Sequence, residues 1–263
     1  MAAETQTTEQ SDAVLTERRG SVLLITLNRP EARNAVNVAL AEGIAGALDE
    51  LDADRELAVG VLTGAGSGFC AGMDLKAFVA GQRPWVGDRG FAGIVQRASR
   101  KPLVAAVEGF AVAGGLEVAL ACDLIVAARG ARLGIPEVKR SLVAAGGALL
   151  RLPRRMPYGV AVELALTGDP ITAERGYELG VVNRLTDPGG AVDAALELAA
   201  TIARNGPLAV DATKAILQQQ FDWTDEDFWM RQGEIAGPVF GSDDAREGAI
   251  AFSEKREPVW QGR

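Results

Sequence analysis

The sequence predicts an α/β chain with a helical C-terminal region, and three observations carry that prediction. Short apolar runs at 22–27 (VLLITL), 57–64 (LAVGVLTG), 103–107 (LVAAV) and 124–127 (LIVA) have the length and β-branched content of strands buried on both faces. Between the first two, Leu40, Ile44, Leu48 and Leu51 recur at helical spacing and make one apolar face. Beyond residue 190 no such run occurs, and 191–203 and 208–219 are amphipathic helices. Alternation followed by helices gives an α/β core at 13–200 and a helical region at 201–263.

Residues 1–12 (MAAETQTTEQSD) are polar with no apolar stretch, so they are expected to be a disordered tail rather than a leader. Ala13 to Arg18 and Ser21 to Asn28 flank Gly20 as a hairpin, which Arg29-Pro30 ends. A helix from about Asn37 to Leu51 and the strand at 57–64 lead into a glycine-rich loop, GAGSGFCAGMDLK. Residues 77–92 show no period and are expected to be a pocket-shaping loop. The strand at 103–107 passes through a glycine turn into a helix opening at Gly114-Gly115, and the strand at 124–127 returns through Leu133 to Pro136-Glu137. A helix is expected over Leu142–Leu152, entered through Ala145-Gly146-Gly147, and another over Tyr158–Leu166. Thr172 caps a further helix that Gly180 ends, before a short strand VVNRLT. Thr224 with Asp227, and Ser242 with Asp243 and Asp244, open the last two helices, the second running to about Lys255.

Composition excludes several function classes. A net charge of −8 argues against nucleic acid and anionic membrane surfaces as partners, so any anionic ligand must meet a local basic cluster. There is no histidine, which removes Ser–His–Asp and Cys–His nucleophilic systems and imidazole metal sites; the two cysteines, Cys70 and Cys122, leave no metal centre. Two cysteines in apolar or glycine-rich surroundings suit a reducing compartment, and no run of 18 apolar residues occurs, so a cytoplasmic protein is expected. Acid–base chemistry must fall to carboxylates, lysines or tyrosines.

The GAGSG loop is not a nucleotide motif. A Walker loop needs Lys-Ser/Thr after its last glycine, and Phe69 stands where the dinucleotide fingerprint needs a third glycine. By itself such a loop is ordinarily just a turn. It gains meaning from Gly114: helix starts leave amides unpaired, and a free Met73 amide facing that of Gly114 makes an oxyanion hole. A single glutamate is ordinarily solvated, but Glu117 interrupts the apolar LEVALA and Glu137 follows a proline. A buried carboxylate without a cation has a raised pKa, which suits proton transfer near neutral pH. Arg29 and Arg33 of NRPEARNA, with Lys76, are candidates to hold phosphates; the plain alternative is a solvated turn. The four tryptophans, Trp85, Trp223, Trp229 and Trp260, are read as packing or interface residues.

Taken together, ITLNRPEARNAVN, GFCAGMDLK, AAVEGFAVAGGLEVALACDLIVAA, GIPEVK, LTGDPITAERGYELGVVN and DDAREGAIAFSEKR resemble the crotonase (enoyl-CoA hydratase/isomerase) superfamily, in order and over nearly the whole chain. The resemblance implies a spiral core of β-β-α units and a C-terminal helical region that builds trimers, often paired into hexamers. It implies that Met73 and Gly114 give the oxyanion-hole amides, and that Ala71, Asp74 and Leu75 line the adenine and pantetheine path, with Ala35 near the CoA entrance. Phe252 and Lys255 match positions that reach a neighbouring subunit's CoA. Glu117 and Glu137 fall where the hydratases carry both catalytic glutamates, Glu117 as base on the water and Glu137 as acid at the α-carbon, with the reverse division open.

The implied reaction adds water to a trans-2-enoyl-CoA; CoA arrives with the substrate, and no separate cofactor or metal is expected. Double-bond isomerisation is the enzymatic alternative, and a non-catalytic acyl-CoA-binding protein is the alternative of another class. The departures are Glu31 where many members have Lys, Ala113 in place of the first glycine of GGG, and Ala145 near a site often occupied by glycine.

Overall fold

The computed structural model describes residues 13–263, and a hairpin opens them. The tail expected at 1–12 lies outside the described residues. β1 (Val14–Arg19) pairs antiparallel with β2 (Val22–Leu27), and the turn between them uses Gly20 at a φ of +62°. The Asn37 side chain then caps α1 (Val38–Ala53) by accepting from the Leu40 amide at 3.0 Å. β3 (Val59–Gly64) follows, then α2 (Leu75–Val79) and a small hairpin of β4 (Trp85–Val86) and β5 (Gly90–Phe91). The middle of the chain forms β6 (Leu103–Val107), β7 (Phe110–Val112), α3 (Gly114–Ala121), β8 (Leu124–Ala128) and β9 (Arg132–Gly134). A 3-10 turn at Pro136–Arg140 leads to α4 (Ala148–Arg155), α5 (Tyr158–Thr167), β10 (Ile171–Thr172), α6 (Ala173–Glu178) and β11 (Arg184–Thr186). Four helices end the chain: α7 (Ala191–Ala203), α8 (Pro207–Gln219), α9 (Asp225–Phe240) and α10 (Asp243–Glu254).

The strands make a six-stranded sheet in the order β1-β2-β3-β6-β8-β11, parallel except for the opening hairpin. A smaller sheet, β10-β9-β7, stands beside it. β6 and β8 of the large sheet are each followed by a strand of the small one, β7 or β9, and those two pair in parallel. This is the β-β-α spiral that the resemblance implied. The large sheet is covered on both faces, which is why its strands are continuously apolar. Leu23, Ile25 and Leu27 face the core shared with α1, while Val22, Leu24, Val61, Val104 and Val126 pack against Ala191, Ala195 and Ala199 of α7.

α8 is tied to the core through Lys214, which is 8% exposed and donates to the Lys101 carbonyl (2.8 Å) and the Asp123 carboxylate (2.7 Å). α9 and α10 lie further out and leave Trp229, Phe240 and Phe252 exposed. Among the described residues no helix is long and apolar enough to cross a membrane.

Three elements differ from the sequence reading. The helix expected over Leu142–Leu152 begins only at Ala148, because Gly147 at φ +101° holds the chain in a conformation outside the helix. The segment 77–92 is not a bare loop: it carries the end of α2, the β4–β5 hairpin and a 3-10 turn at Gly87–Arg89. Buried Arg89 anchors it to α1 through Asp49 at 2.5 Å, and two-residue strands show no period to read. The strand in VVNRLT is confined to its last three residues.

Candidate active site

The site forms where the loop after β3 meets the start of α3. Asn34, fully buried, donates to the carbonyls of Ala65 and Gly68, each at 2.9 Å, and so holds the loop. Val36 donates to Gly72 O at 2.8 Å and accepts from Asp74 N at 2.9 Å, which fixes Met73 between them with its own amide unused. Gly72 has φ +92°, and a Cβ there would stand 2.9 Å from Gly114 N and 2.8 Å from the Ala113 Cβ. Loop and helix therefore touch at a point that only glycine allows. Among the described residues the Met73 and Gly114 amides donate to no protein acceptor, and Gly114 opens an eight-residue helix whose positive end they share.

Ala113, the residue before Gly114, adopts φ 52°, ψ −134°, a region costly for any residue with a Cβ. It is held there by its amide, which donates to Gly134 O at 2.9 Å, and by Leu116 N and Glu117 N, which both donate to its carbonyl. On the other side of Gly114, the Phe91 ring of the β4–β5 hairpin occupies the space a Cβ would need, and Trp85 stacks edge-on against Phe91 at 5.4 Å.

Glu117 lies in the second half-turn of α3, 4% exposed, and accepts from Ala148 N at 3.2 Å. Burial raises its pKa, opposed by the Ala148 and Gly146 amides and the Arg151 cation. Glu137, in the 3-10 turn after β9, has a carboxylate oxygen that is buried with no partner. Its pKa is pushed up to about 6, first by burial and then by the Glu117 charge, which offsets the pull of its own amide and of Arg140. Burial thus raises both carboxylates, and the Glu117 charge adds to the rise at Glu137.

The remaining sequence candidates fall into two groups. Arg29, expected as a phosphate contact, is instead paired with Asp74 at 3.1 Å and donates to Ala35 O, so these three candidates bind one another and brace the loop. The Asp74 side chain also caps α2 from the Lys76 and Ala77 amides, which with Arg29 lowers its pKa against the effect of burial. Ala71 is bonded to the Arg33 carbonyl at 3.1 Å, and Arg33, Leu75 and Lys76 are exposed beside it. Phe252 and Lys255 sit at the end of α10, exposed, and α10 packs on α9 rather than on this cluster. The sequence reading missed Ala148 and Gly146 as partners of Glu117, although the Ala145-Gly146-Gly147 entry to α4 marked the turn that holds them. A cleft of about 1180 Å³ lies elsewhere, between Leu120–Leu124, α4 and α8, and none of Glu117, Glu137, Met73 and Gly114 lines it.

The β-β-α spiral thus carries two free amides, Met73 and Gly114, and two partly desolvated carboxylates, Glu117 and Glu137, and comparison with known proteins gives the family. A model described as enoyl-CoA hydratase/isomerase matches residues 17–263, and the chain belongs to that family. A solved structure of an enoyl-CoA hydratase from Mycobacterium tuberculosis is 57% identical, with a TM-score of 0.94 over 96% of this chain and 100% of that one. Enoyl-CoA hydratase EchA19 of the same organism is 43% identical over 98% of this chain and 99% of its own. A carnitinyl-CoA hydratase structure from Mycobacterium avium is 44% identical, with a TM-score of 0.77 over 96% of this chain and 99% of that one.

Two stability measurements check this geometry. Ala113→Gly should stabilise the protein by about 1 kcal/mol in denaturant unfolding, since glycine adopts the same backbone without strain; an unchanged or lower stability would mean the conformation is unstrained. Glu137 has a folded pKa above its unfolded value, so its stabilising contribution is complete below about pH 4.5 and lost as pH rises through about 6. Glu137→Gln should therefore raise the melting temperature relative to wild type at pH 8 but not at pH 4.5, and an equal effect at both pH values would contradict the burial of that carboxylate.

Proposed function

We propose that this protein is an enoyl-CoA hydratase that adds water reversibly across a trans-2-enoyl-CoA to give the 3-hydroxyacyl-CoA. The observation that carries the reading is the pairing of two unpartnered amides, Met73 and Gly114, with two desolvated carboxylates, Glu117 and Glu137. The amides take the thioester oxygen and stabilise the negative charge that grows on it, making C3 electrophilic. Glu117 removes a proton from a water held between the carboxylates, and the oxygen bonds to C3. Glu137 delivers a proton to C2, for which a pKa near 6 suits it. One proton enters and one leaves, and the carboxylates exchange protonation states before the next turnover. No electrons are transferred, so the reaction needs no redox group, and CoA is carried by the substrate.

In this reading Ala71, Leu75 and Ala35 border the CoA path, Arg33 and Lys76 meet its phosphates, and the Arg29–Asp74 pair braces the entrance. The exposed apolar side chains of α9 and α10, Trp229, Met230, Phe240 and Phe252, are covered in a homotrimer or dimer of trimers, where Phe252 and Lys255 reach a neighbour's CoA. We place the protein in the cytoplasm, in acyl-CoA metabolism. A second substrate is favoured by the relatives named carnitinyl-CoA dehydratase, 39% identical over 96% of this chain: the same site run in reverse eliminates water from a 3-hydroxyacyl-CoA such as carnitinyl-CoA.

Crotonyl-CoA, a longer trans-2-enoyl-CoA and carnitinyl-CoA test this by loss or gain of enoyl-thioester absorbance, with mass spectrometry of the products. The expected product of the first two is heavier by one water. Glu117→Gln and Glu137→Gln should each lower kcat at least ~10²-fold with little change in CoA-ester binding. Turnover that survives both substitutions would overturn the two-carboxylate mechanism, and a product of unchanged mass would point to isomerisation. Native mass measurement should give a trimer or hexamer; a stable monomer would remove the roles given to Phe252 and Lys255.

A further inference from the structure

Glu117 leans on a turn that has little to hold it. The Gly146–Ala148 segment belongs to no strand, and Gly147 within it needs a φ of +101°. A Cβ at Gly146 would collide with the Glu117 carboxylate, and Ala148 N donates to that carboxylate. What fastens the turn is Arg151, one helical turn into α4. Its own amide donates to Gly147 O at 3.0 Å, while its side chain folds back over the start of the helix. There Nη1 donates to Gly146 O at 3.4 Å and Nη2 to Val95 O at 2.5 Å. Val95 is buried and follows the β4–β5 hairpin whose Phe91 ring packs on Gly114.

The position is unfavourable for a cation. Burial and the like charges of Arg154 and Arg155 on the same helix lower the Arg151 pKa, and a helix N-terminus repels positive charge. Among the described residues Arg151 forms no ion pair, and its polar partners are main-chain carbonyls. Of the groups that act on it, Arg154, Arg155, the Cys122 thiol and Glu117, the last is the one carboxylate. The charged groups that face Glu117 are in turn Glu137, across the site, and Arg151, behind the turn.

We propose, on the footing of the hydration reading above, that Arg151 is a positioning residue for Glu117: it bridges the Gly146 turn to Val95 and sets a fixed positive charge behind the base. Arginine suits both tasks, because its planar fork reaches two carbonyls at once and keeps its charge even when buried. Glu117 must be ionised to accept the proton of water. Removing the guanidinium raises the pH at which Glu117 loses its own proton, so the acid limb of the pH–rate profile moves upward.

The experiment compares the full-length wild type with Arg151→Met and Arg151→Lys. It reads the pH dependence of kcat/KM for crotonyl-CoA and, independently of turnover, the 13C-NMR titration of the glutamate carboxyls, with the Glu117 signal identified by its loss in Glu117→Gln. In Arg151→Met both midpoints should rise by about one pH unit, the scale of a single nearby charge, with kcat at least ~10-fold lower and KM within about threefold. Arg151→Lys keeps the charge and loses the two-carbonyl bridge, so its midpoints should stay near wild type while kcat still falls. Unmoved midpoints in a folded Arg151→Met protein would overturn the proposal. If that variant does not fold, Arg151→Lys decides: lowered kcat with wild-type midpoints supports it, and wild-type kcat overturns it. Should Glu117→Gln hydrate as well as wild type, the hydration reading fails, and the NMR titration still decides whether Arg151 sets the Glu117 charge.

Discussion

The close approach of Gly72 to Gly114 is the constraint on which the rest of the site depends. It brings the loop after β3 against the first turn of α3, so that two amides left free by different elements come to one place. Each partner is prepared separately: Asn34 and Val36 fix the loop, and the β7–β9 pairing with the Ala113–Gly134 bond fixes the helix start. Because the donors belong to the backbone, side-chain rotation cannot misalign them, and they need little reorganisation when charge develops. The strain at Ala113 is the visible cost of that arrangement.

The carboxylates show the same tension between stability and chemistry. Glu117 and Glu137 are both raised by burial, and Glu137 further by its neighbour, so the folded state carries groups that would be more stable as amides. Amide donors and the Arg151 charge moderate the effect at Glu117, whereas one Glu137 oxygen has no partner in the protein. The two therefore differ in what they are suited to do, the one that accepts amide hydrogen bonds to take up a proton and the other to hold one. A polar network left half-satisfied by the protein alone is what a site that binds a reacting water requires.

How far the sequence revealed this depends on the range over which each signal acts. β2, β3, β6 and β8 were legible because a strand buried on two faces must be apolar at every position. Glu117 was legible because a carboxylate in an apolar helix contradicts its surroundings, and Gly114 because a strand hands over to a helix there. The β4–β5 hairpin was not, since two-residue strands have no period, and neither was the helix start at Ala148, which Gly147 delays. Arg29 read as a free cation because its partner Asp74 is distant along the chain and met only in the fold. Arg151 was hidden for the same reason: an arginine near the end of the helix expected over Leu142–Leu152 looks solvated until Val95 is placed beside it. Phe252 and Lys255 rest on family resemblance, because their roles concern a second chain.

The central claim, that the Met73 and Gly114 amides polarise the substrate carbonyl, is open to direct measurement with a thioester that cannot be hydrated. Infrared difference spectra of bound [1-13C]butyryl-CoA isolate its carbonyl stretch. The account predicts a band at lower frequency than in water, returned toward the aqueous value in Gly72→Ala, where the added Cβ forces the loop from Gly114. A wild-type band at the aqueous frequency, with the ligand bound, would contradict it.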